Sequence, residues 1–396
     1  MSSRAPGNIR ALLENRGRLN FSEFMTAALY GPEGYYVGSR NPFGASGDFY
    51  TSPLVHPAFG TLLAVQVAQI WELMKRPASF AVSELGGGNG IFARDFCHAM
   101  REHSPKLASN LCYTVMDYRP PNCWPGQFRP ASSGLPSGSC GVVFGNEFLD
   151  ALPVHRVIKL QGKLQELYVE LAGDRLVEHP GPLSSATLAK LTASWVDYMP
   201  EGGKAEVPLA LAEWIPTLAN ALEYGVVLLI DYGAELAERL ADKAGTLRSY
   251  RQHRIQDDLL ANAGAADLTY QVDFTALRDL AMAHGLTKLG ESSQEDFLKN
   301  LGWEAISSAI DELPLDSITR QANLVALREL VAPGGLGGHR VIALGKGIAA
   351  APLFGFDGGG TPTHVPLLTK RHMLLHGKLW SLATEVISPE NLTNLY

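Results

Sequence analysis

The sequence predicts an α/β fold built on a doubly wound sheet, with a helical N-terminal segment and insertions around it. Four short apolar runs alternate with helical patterns along the middle of the chain: FAVSEL, CYTVMD, GVVFGNE and GVVLLIDYG. Runs that are apolar at almost every position are typical of parallel strands that helices cover on both faces. The glycine-rich stretch ELGGGNG includes the end of the first run, at the point where an open α/β sheet binds its ligands.

The N-terminal part is predicted to be helical. Apolar residues recur at helical spacing over residues 8–30, on either side of a glycine, which predicts two short helices. A loop rich in Gly, Pro and Ser follows over residues 31–53, and residues 57–74 predict a helix with one apolar face. We therefore assign residues 1–78 to a helical segment that carries a pocket loop.

An insertion is expected to interrupt the sheet. The stretch KLQELYVELAGDRLVEH alternates around an AGD turn and predicts a β-hairpin. Further along, DFTALRDLAMAHGL predicts a helix and HRVIALGKG predicts a late strand. The chain is expected to divide into five segments: the N-terminal segment (1–78), a first part of the core (79–160), an inserted substrate-side region (161–221), the rest of the core with inserted helices (222–347) and a C-terminal extension (348–396).

Composition and charge exclude several classes of function. The formal net charge of −7 provides no basic field for nucleic acid. Four cysteines without a CxxC pair argue against a zinc site or a disulfide framework, so no metal is expected. The apolar runs are far shorter than the roughly 20 residues that span a bilayer, so no membrane helix is expected. We favour a cytoplasmic location, because the N-terminal arginines resemble a transit peptide only faintly; the mitochondrial matrix is the alternative for a eukaryotic chain.

The glycine loop is not a phosphate loop, because Ile91 and Phe92 follow Gly90 where Lys and Ser or Thr would be required. Its pattern is GxGxG rather than GxGxxG, and a strand-to-helix turn without a ligand could use the same glycines. Asp117 stands near the end of the second strand, where a doubly wound sheet places the acid that binds ribose hydroxyls. A solvated strand-end residue is the alternative reading of Asp117.

Two further acids follow the third strand. Glu147 and Asp150 are expected at the same sheet edge as the glycine loop, although Asp150 could instead complement a helix dipole. His155, His253 and His339 are the candidates for a general base, although a lone histidine is more often structural or exposed.

Because an acid precedes it, the GxGxG loop resembles the first motif of class I S-adenosylmethionine-dependent methyltransferases. Several separated stretches resemble one family among these enzymes, the MidA-like methyltransferases, which include the arginine methyltransferase of mitochondrial complex I assembly. The stretches are FSEFMTAALYGPEGYY, GDFYTSP, ELGGGNG, NEFLDALP, LIDYG, RQHRIQDDLLANAGAADLTYQVDF and FLKNLGW. The resemblance implies a Rossmann-like class I methyltransferase fold and S-adenosylmethionine as the cofactor.

The resemblance also implies site residues. Together with Asp117, the expected cofactor-binding residues are Gly47, Asp48, Thr51, Ser52, Glu84, Gly86, Gly88, Gly90, Asn146 and Glu147. Glu147 and Asp150 are expected on the acceptor side. With the histidine that we favour among the candidate bases, the expected catalytic residues are Glu147, Asp150 and His253.

The nature of the methyl acceptor is open at this point. Glu147 and Asp150 would suit the planar fork of an arginine guanidinium, whereas a hydroxyl or carboxyl acceptor would need a general base such as His253. The chain departs from the family pattern at Leu54 and Gln271, which puts the acceptor in doubt. We predict a methyltransferase acting on a protein side chain, with arginine favoured. A small-molecule O- or N-methyltransferase and a noncatalytic assembly factor are the alternatives, and a homodimer is a further expectation.

Overall fold

The computed structural model describes residues 5–38, 50–121, 127–251, 254–348 and 351–372. These residues form fifteen α-helices. The helices are α1 (Gly7–Arg16), α2 (Phe21–Tyr30), α3 (Ser52–Val55), α4 (Ala58–Leu73), α5 (Ile91–His103), α6 (Pro105–Asn110), α7 (Ala186–Thr192), α8 (Trp195–Tyr198), α9 (Leu211–Ala221), α10 (Leu236–Ala241), α11 (Phe274–Ala283), α12 (Gln294–Asn300), α13 (Trp303–Glu312), α14 (Ser317–Glu329) and α15 (Phe354–Asp357).

The same residues form seventeen strands in four sheets. The strands are β1 (Arg18–Asn20), β2 (Phe80–Leu85), β3 (Leu111–Asp117), β4 (Gln127–Pro130), β5 (Ser139–Asn146), β6 (His155–Leu160), β7 (Lys163–Ala172), β8 (Arg175–Gly181), β9 (Lys204–Val207), β10 (Leu222–Asp231), β11 (Gly233–Ala234), β12 (Arg248–Arg251), β13 (Arg254–Gln256), β14 (Asp267–Thr269), β15 (Val272–Asp273), β16 (Thr287–Ser293) and β17 (Arg340–Lys346).

The chain folds into two compact units that alternate along the sequence. The core unit comprises the described residues of 50–146, 220–230 and from 286 onward. The second unit comprises the described residues up to 38, together with those of 147–219 and 231–285. The chain leaves the core unit once at the end of β5 and once at the end of β10, so both departures occur at carboxyl ends of strands.

The core unit is built on a seven-stranded sheet in the order β4-β3-β2-β5-β10-β17-β16. Neighbours from β4 through β10 pair in parallel, and β16 pairs antiparallel with β17. Gly141 allows the close approach of β5 to β2, because a Cβ at this position would lie 1.9 Å from the carbonyl oxygen of Ala81. The apolar face of α4 joins the main hydrophobic cluster, in which the rings of Phe92 and Phe144 stack at 4.5 Å.

The second unit contains a five-stranded antiparallel sheet formed by β1, β6, β7, β8 and β9. Helix α2 begins at a capping box: Asn20 Oδ1 accepts the N–H of Glu23, and the Glu23 carboxylate accepts the N–H of Asn20. Phe21, Phe24 and Met25 of this helix are fully buried in the hydrophobic cluster of the unit. The helix is therefore fixed at its start by its cap and along one face by packing.

The structure confirms the predicted elements named next, and it also contains strands that the sequence did not predict. The two N-terminal helices, the helix within residues 57–74, the four parallel strands, the AGD hairpin and the late strand are present. Strands β4 and β16 were not predicted, because QFRP and TKLGESS are short or polar and lack an apolar pattern. Strands β12, β13 and β14 form a further small sheet in a polar stretch for which no strand was predicted. Within the described ranges, no helix is long and apolar enough to cross a membrane.

Candidate active site

The glycine loop of the core unit adopts a backbone conformation that side chains would hinder. Gly86, Gly88 and Gly90 have φ values of 66°, 54° and 81°, which L-residues other than glycine rarely adopt. At Gly87 a Cβ would lie 2.3 Å from Cγ1 of the buried Val115. The loop thus passes directly over β3 and turns into α5, which begins after Gly90. A bound molecule can approach its backbone without meeting side chains.

Asp117 fixes this loop to the end of β3. Its Oδ2 accepts the N–H of Gly88 at 2.8 Å, and its Oδ1 accepts the N–H of Tyr118 at 2.6 Å. Burial raises the pKa of Asp117, while these backbone N–H groups oppose the rise by stabilising the carboxylate. The structure therefore brings Asp117 and the glycine loop together, as the sequence predicted.

Glu84 lies inside the core unit at the end of β2. Its side chain is 4% exposed, and its Oε2 accepts the hydroxyl of Tyr113 at 2.9 Å. Burial raises the pKa of Glu84 to about 8, against the lowering effect of the Tyr113 hydrogen bond. The carboxyl group supports the floor of the glycine loop, 3.4 Å from where a Gly87 Cβ would stand.

The remaining predicted cofactor residues have different surroundings. Asn146 follows Gly145, which pairs with Leu85, so Asn146 ends β5 beside the start of the glycine loop. Ser52 is fully buried and donates its hydroxyl to Oε1 of Gln294 at 3.1 Å. Thr51 is half-buried and immediately precedes α3. Three predicted residues, Gly47, Asp48 and His253, lie outside the described residues.

The residues around the loop fit an adenosyl cofactor. Glycine at positions 86, 87, 88 and 90 leaves the loop without side chains at these positions, and the positive φ values of three of them suit close contact with backbone atoms. The carboxylate of Asp117 stands at the end of the second core strand, the position from which doubly wound sheets bind ribose hydroxyls. S-adenosylmethionine carries such a ribose, and its methyl group is activated by a sulfonium.

In the second unit, Glu147 and Asp150 lie in the turn that follows β5. Glu147 has a φ of 48°, a conformation that few residues other than glycine adopt. The backbone N–H groups of Phe148, Leu149 and Asp150 all point at Oδ2 of Asp231, at 3.1, 2.8 and 3.3 Å. Asp231 thereby holds the turn that carries both predicted acceptor-side acids.

Asp150 is surrounded by tyrosines. Its side chain is 5% exposed, and burial raises its pKa to about 6 while a hydrogen bond from Tyr232 opposes the rise. Among the described residues, neither Oδ1 of Asp150 nor the buried hydroxyl of Tyr270 has a hydrogen-bond partner. Burial raises the pKa of Tyr270 and of Tyr36, and the charge of Asp150 raises both further. The second unit thus contains an acidic, hydroxyl-rich interior with unsatisfied polar atoms.

The sequence did not single out Asp231 or these tyrosines as site residues. Asp231 lies in the stretch LIDYG, and its place at the end of an apolar run was the available signal. Tyr30 and Tyr36 lie on the N-terminal segment, where their rings stack at 5.6 Å. The Tyr30 hydroxyl donates to the carbonyl oxygen of Ala151, and the Tyr36 hydroxyl donates to the carboxylate of Asp267. These partners are more than 100 positions away in the sequence, so no local pattern indicates them.

Comparisons with known proteins identify the family of this chain. A model of the family of S-adenosyl-L-methionine-dependent methyltransferases matches residues 62–292. The chain belongs to this MidA-like family. Its fold is therefore that of the class I methyltransferases, and the predicted family, cofactor and enzyme class are confirmed.

Relatives of this MidA-like chain include curated enzymes. It is 28% identical to the protein arginine methyltransferase NDUFAF7 homolog, mitochondrial, of Drosophila melanogaster, with 88% of this chain and 87% of that protein covered. It is 30% identical to protein arginine methyltransferase NDUFAF7, mitochondrial, of Danio rerio, with 72% and 74% covered.

A solved structure is similar over almost the whole fold. It is the crystal structure of a COG1565 superfamily member from Burkholderia thailandensis bound to S-adenosyl-homocysteine. That protein is 28% identical, with a TM-score of 0.77 and coverage of 89% of this chain and 94% of its own. The bound S-adenosyl-homocysteine in that relative is the demethylated form of the cofactor that the glycine loop fits.

Proposed function

We propose that this S-adenosylmethionine-dependent methyltransferase methylates arginine side chains of a protein. The observation that supports arginine as the methyl acceptor is the buried carboxylate of Asp150, whose Oδ1 has no hydrogen-bond partner among the described residues. A buried carboxylate oxygen needs a donor, and a cationic donor satisfies it best. The relatives NDUFAF7 are named protein arginine methyltransferases, which supports the same acceptor.

A guanidinium matches the chemistry around Asp150. It presents several N–H donors in one plane and keeps its charge at all physiological pH values. Glu147 and Asp150 supply carboxylates from the two ends of one short turn, and Tyr232 keeps the Asp150 carboxylate oriented through a hydrogen bond. Two carboxylates would orient the fork and select the nitrogen that reacts.

The reaction forms one bond between an arginine nitrogen and the methyl carbon and breaks the bond between that carbon and the sulfonium sulfur. The nitrogen then carries one proton too many, and this proton has to leave. Asp150 can receive it, because its pKa is raised to about 6 by burial and it is ionised at neutral pH. The proton then passes to solvent, and the products are methylarginine and S-adenosylhomocysteine.

Methylation of synthetic peptides tests this proposal. The purified protein is incubated with tritiated S-adenosylmethionine and peptides rich in arginine, and with matched peptides in which every arginine is replaced by lysine. Methylarginine in the hydrolysate of the first set alone supports the proposal. Hydroxyl- and amine-bearing small molecules are incubated in parallel; incorporation into these and into neither peptide set would favour the small-molecule alternative.

Calorimetric titration with S-adenosylmethionine, S-adenosylhomocysteine and NAD tests whether the protein is a methyltransferase or a noncatalytic assembly factor. Binding of the first two and not of NAD is expected. Folded protein that binds neither and contains no copurified cofactor would favour the noncatalytic assembly factor. Sedimentation in the same buffer measures whether the chain is the homodimer expected from its sequence.

The compartment and the segment roles also stay proposals. We propose residues 161–221 as a substrate-side region and residues 348–396 as an extension. The two curated NDUFAF7 relatives are mitochondrial by name, so the cytoplasmic location is not confirmed; the mitochondrial matrix is the proposed alternative for a eukaryotic chain. Fractionation of cells that express the full chain decides between the two.

A further inference from the structure

Asp231 is the last residue of β10, which lies beside β5 in the seven-stranded sheet. In the parallel pair of β10 and β5, Ile230 lies opposite Asn146. The next residues are Asp231, which ends β10, and Glu147, which is the first residue after β5. The Asp231 side chain is 1% exposed, so its carboxylate has to be satisfied by protein groups.

Among the described residues, the hydrogen-bond donors to Asp231 are backbone N–H groups. Oδ2 of Asp231 accepts the N–H groups of Phe148, Leu149 and Asp150, and Oδ1 accepts the N–H of Tyr232 at 3.0 Å. Three consecutive N–H groups can converge on one oxygen only when the chain curls around it. The carboxylate therefore determines the path of residues 147–150.

Glu147 requires such a constraint. Its φ of 48° lies in the left-handed region, where a residue with a Cβ persists only if its surroundings fix it. The three hydrogen bonds to Asp231 begin at the residue directly after Glu147. They hold the strained conformation, and with it the direction in which the Glu147 side chain leaves the backbone.

We infer that Asp231 is a positioning residue for methyl transfer: by gathering three backbone N–H groups it sets the geometry of Glu147 and Asp150, the acceptor-side acids. The inference rests on the proposed function in one respect, namely that these two acids hold the acceptor. Asp231 acts through them and does not itself touch the acceptor.

The test compares Asp231→Ala, Asp231→Asn and the matched control Asp273→Asn. Asp273 lies in the same unit, is equally buried at 1% exposure, and caps α11 through the N–H of Ala276 while pairing with Arg239. Each protein is assayed with S-adenosylmethionine and an arginine-rich peptide, after its melting temperature has been recorded.

Loss of kcat with little change in KM is the expected result. Asp231→Ala should lower kcat about 100-fold, the order of loss expected for a misplaced catalytic group. Asp231→Asn keeps one acceptor oxygen and should retain about ten times more activity than Asp231→Ala. Asp273→Asn should lower the melting temperature but keep kcat within about threefold. Equal losses in all three variants, or a folded Asp231→Ala with unchanged kcat, would overturn the inference.

Crystal structures separate this inference from the proposed function. The wild type and Asp231→Ala, or Asp231→Asn if the alanine variant does not fold, are solved with S-adenosylhomocysteine. Relaxation of Glu147 to a negative φ in the variant supports positioning even if the wild type methylates no arginine peptide, in which case only the proposed function fails. An unchanged Glu147 conformation would overturn positioning, whatever the acceptor is.

Discussion

Oδ2 of Asp117 accepts the backbone N–H of Gly88 at 2.8 Å, although the two residues are 29 positions apart in the sequence. This bond ties the glycine loop to the next strand of the sheet. The two residues meet because the parallel pairing of β2 with β3 places the carboxyl ends of these strands side by side.

Asp117→Ala should weaken the binding of S-adenosylhomocysteine by about 10- to 100-fold. It removes a carboxylate that fixes the loop and that we expect to bind the ribose, and hydrogen bonds to charged groups contribute about 1.5–3 kcal/mol. Calorimetric titration measures the change. Asp311→Ala, at an exposed position of the same unit, is the control and should bind normally. Wild-type affinity in Asp117→Ala would remove Asp117 from the cofactor site.

Gly87→Ala should both destabilise the protein and weaken cofactor binding. The new methyl group would overlap Cγ1 of Val115, a fully buried side chain, and overpacking of this kind costs about 1–3 kcal/mol. Urea unfolding measures the free energy of unfolding, and titration with S-adenosylhomocysteine measures the affinity. Gly334→Ala adds its methyl to open space and should change neither quantity. Equal behaviour of the two variants would show that the loop adapts.

Glu84→Gln should stabilise the protein increasingly as the pH rises. Burial raises the pKa of Glu84 in the folded protein to about 8, from 4.5. Between these two values the unfolded chain is ionised while the folded chain holds its proton, so wild-type stability falls as the pH rises through this window. Glutamine keeps an acceptor for Tyr113 and cannot ionise. Urea unfolding of both proteins at pH 5 and pH 8 should give a larger difference at pH 8; a constant difference would contradict the raised pKa.

Asp150→Asn should lower kcat by about 100- to 10,000-fold, the range typical of a lost general base. In the wild type, burial raises the pKa of Asp150 to about 6, and only the carboxylate can receive a proton. The rate should therefore rise with pH through about 6 and level off above it. The asparagine variant should lack this rise. A pH profile between 5 and 8 with an arginine-rich peptide measures both, and an identical profile in the two proteins would exclude Asp150 as the base.

Several features of the site could be predicted from local sequence. The glycines of ELGGGNG and Asp117 follow from apolar runs that end at the same sheet edge, since parallel strands have their carboxyl ends together. The turn after β5 was expected from the end of another apolar run. Other features could not. Tyr30 and Tyr36 reach Ala151 and Asp267 through contacts between distant segments, and the hydroxyl of Ser52 is bound to Gln294, 242 residues away, rather than free at the end of a loop.

The sequence by itself determined the α/β fold, the glycine loop and the family. Strand patterns and turn glycines depend on residues that are neighbours in the sequence, so they can be recognised without the folded structure. The tertiary structure alone decided the surroundings of each acid. Glu84 and Asp150 have raised pKa values because packing removes them from water, and Asp231 holds the Glu147 turn because β10 lies beside β5. Burial and strand order depend on the whole chain, so the electrostatics of the site appear only when the chain is folded.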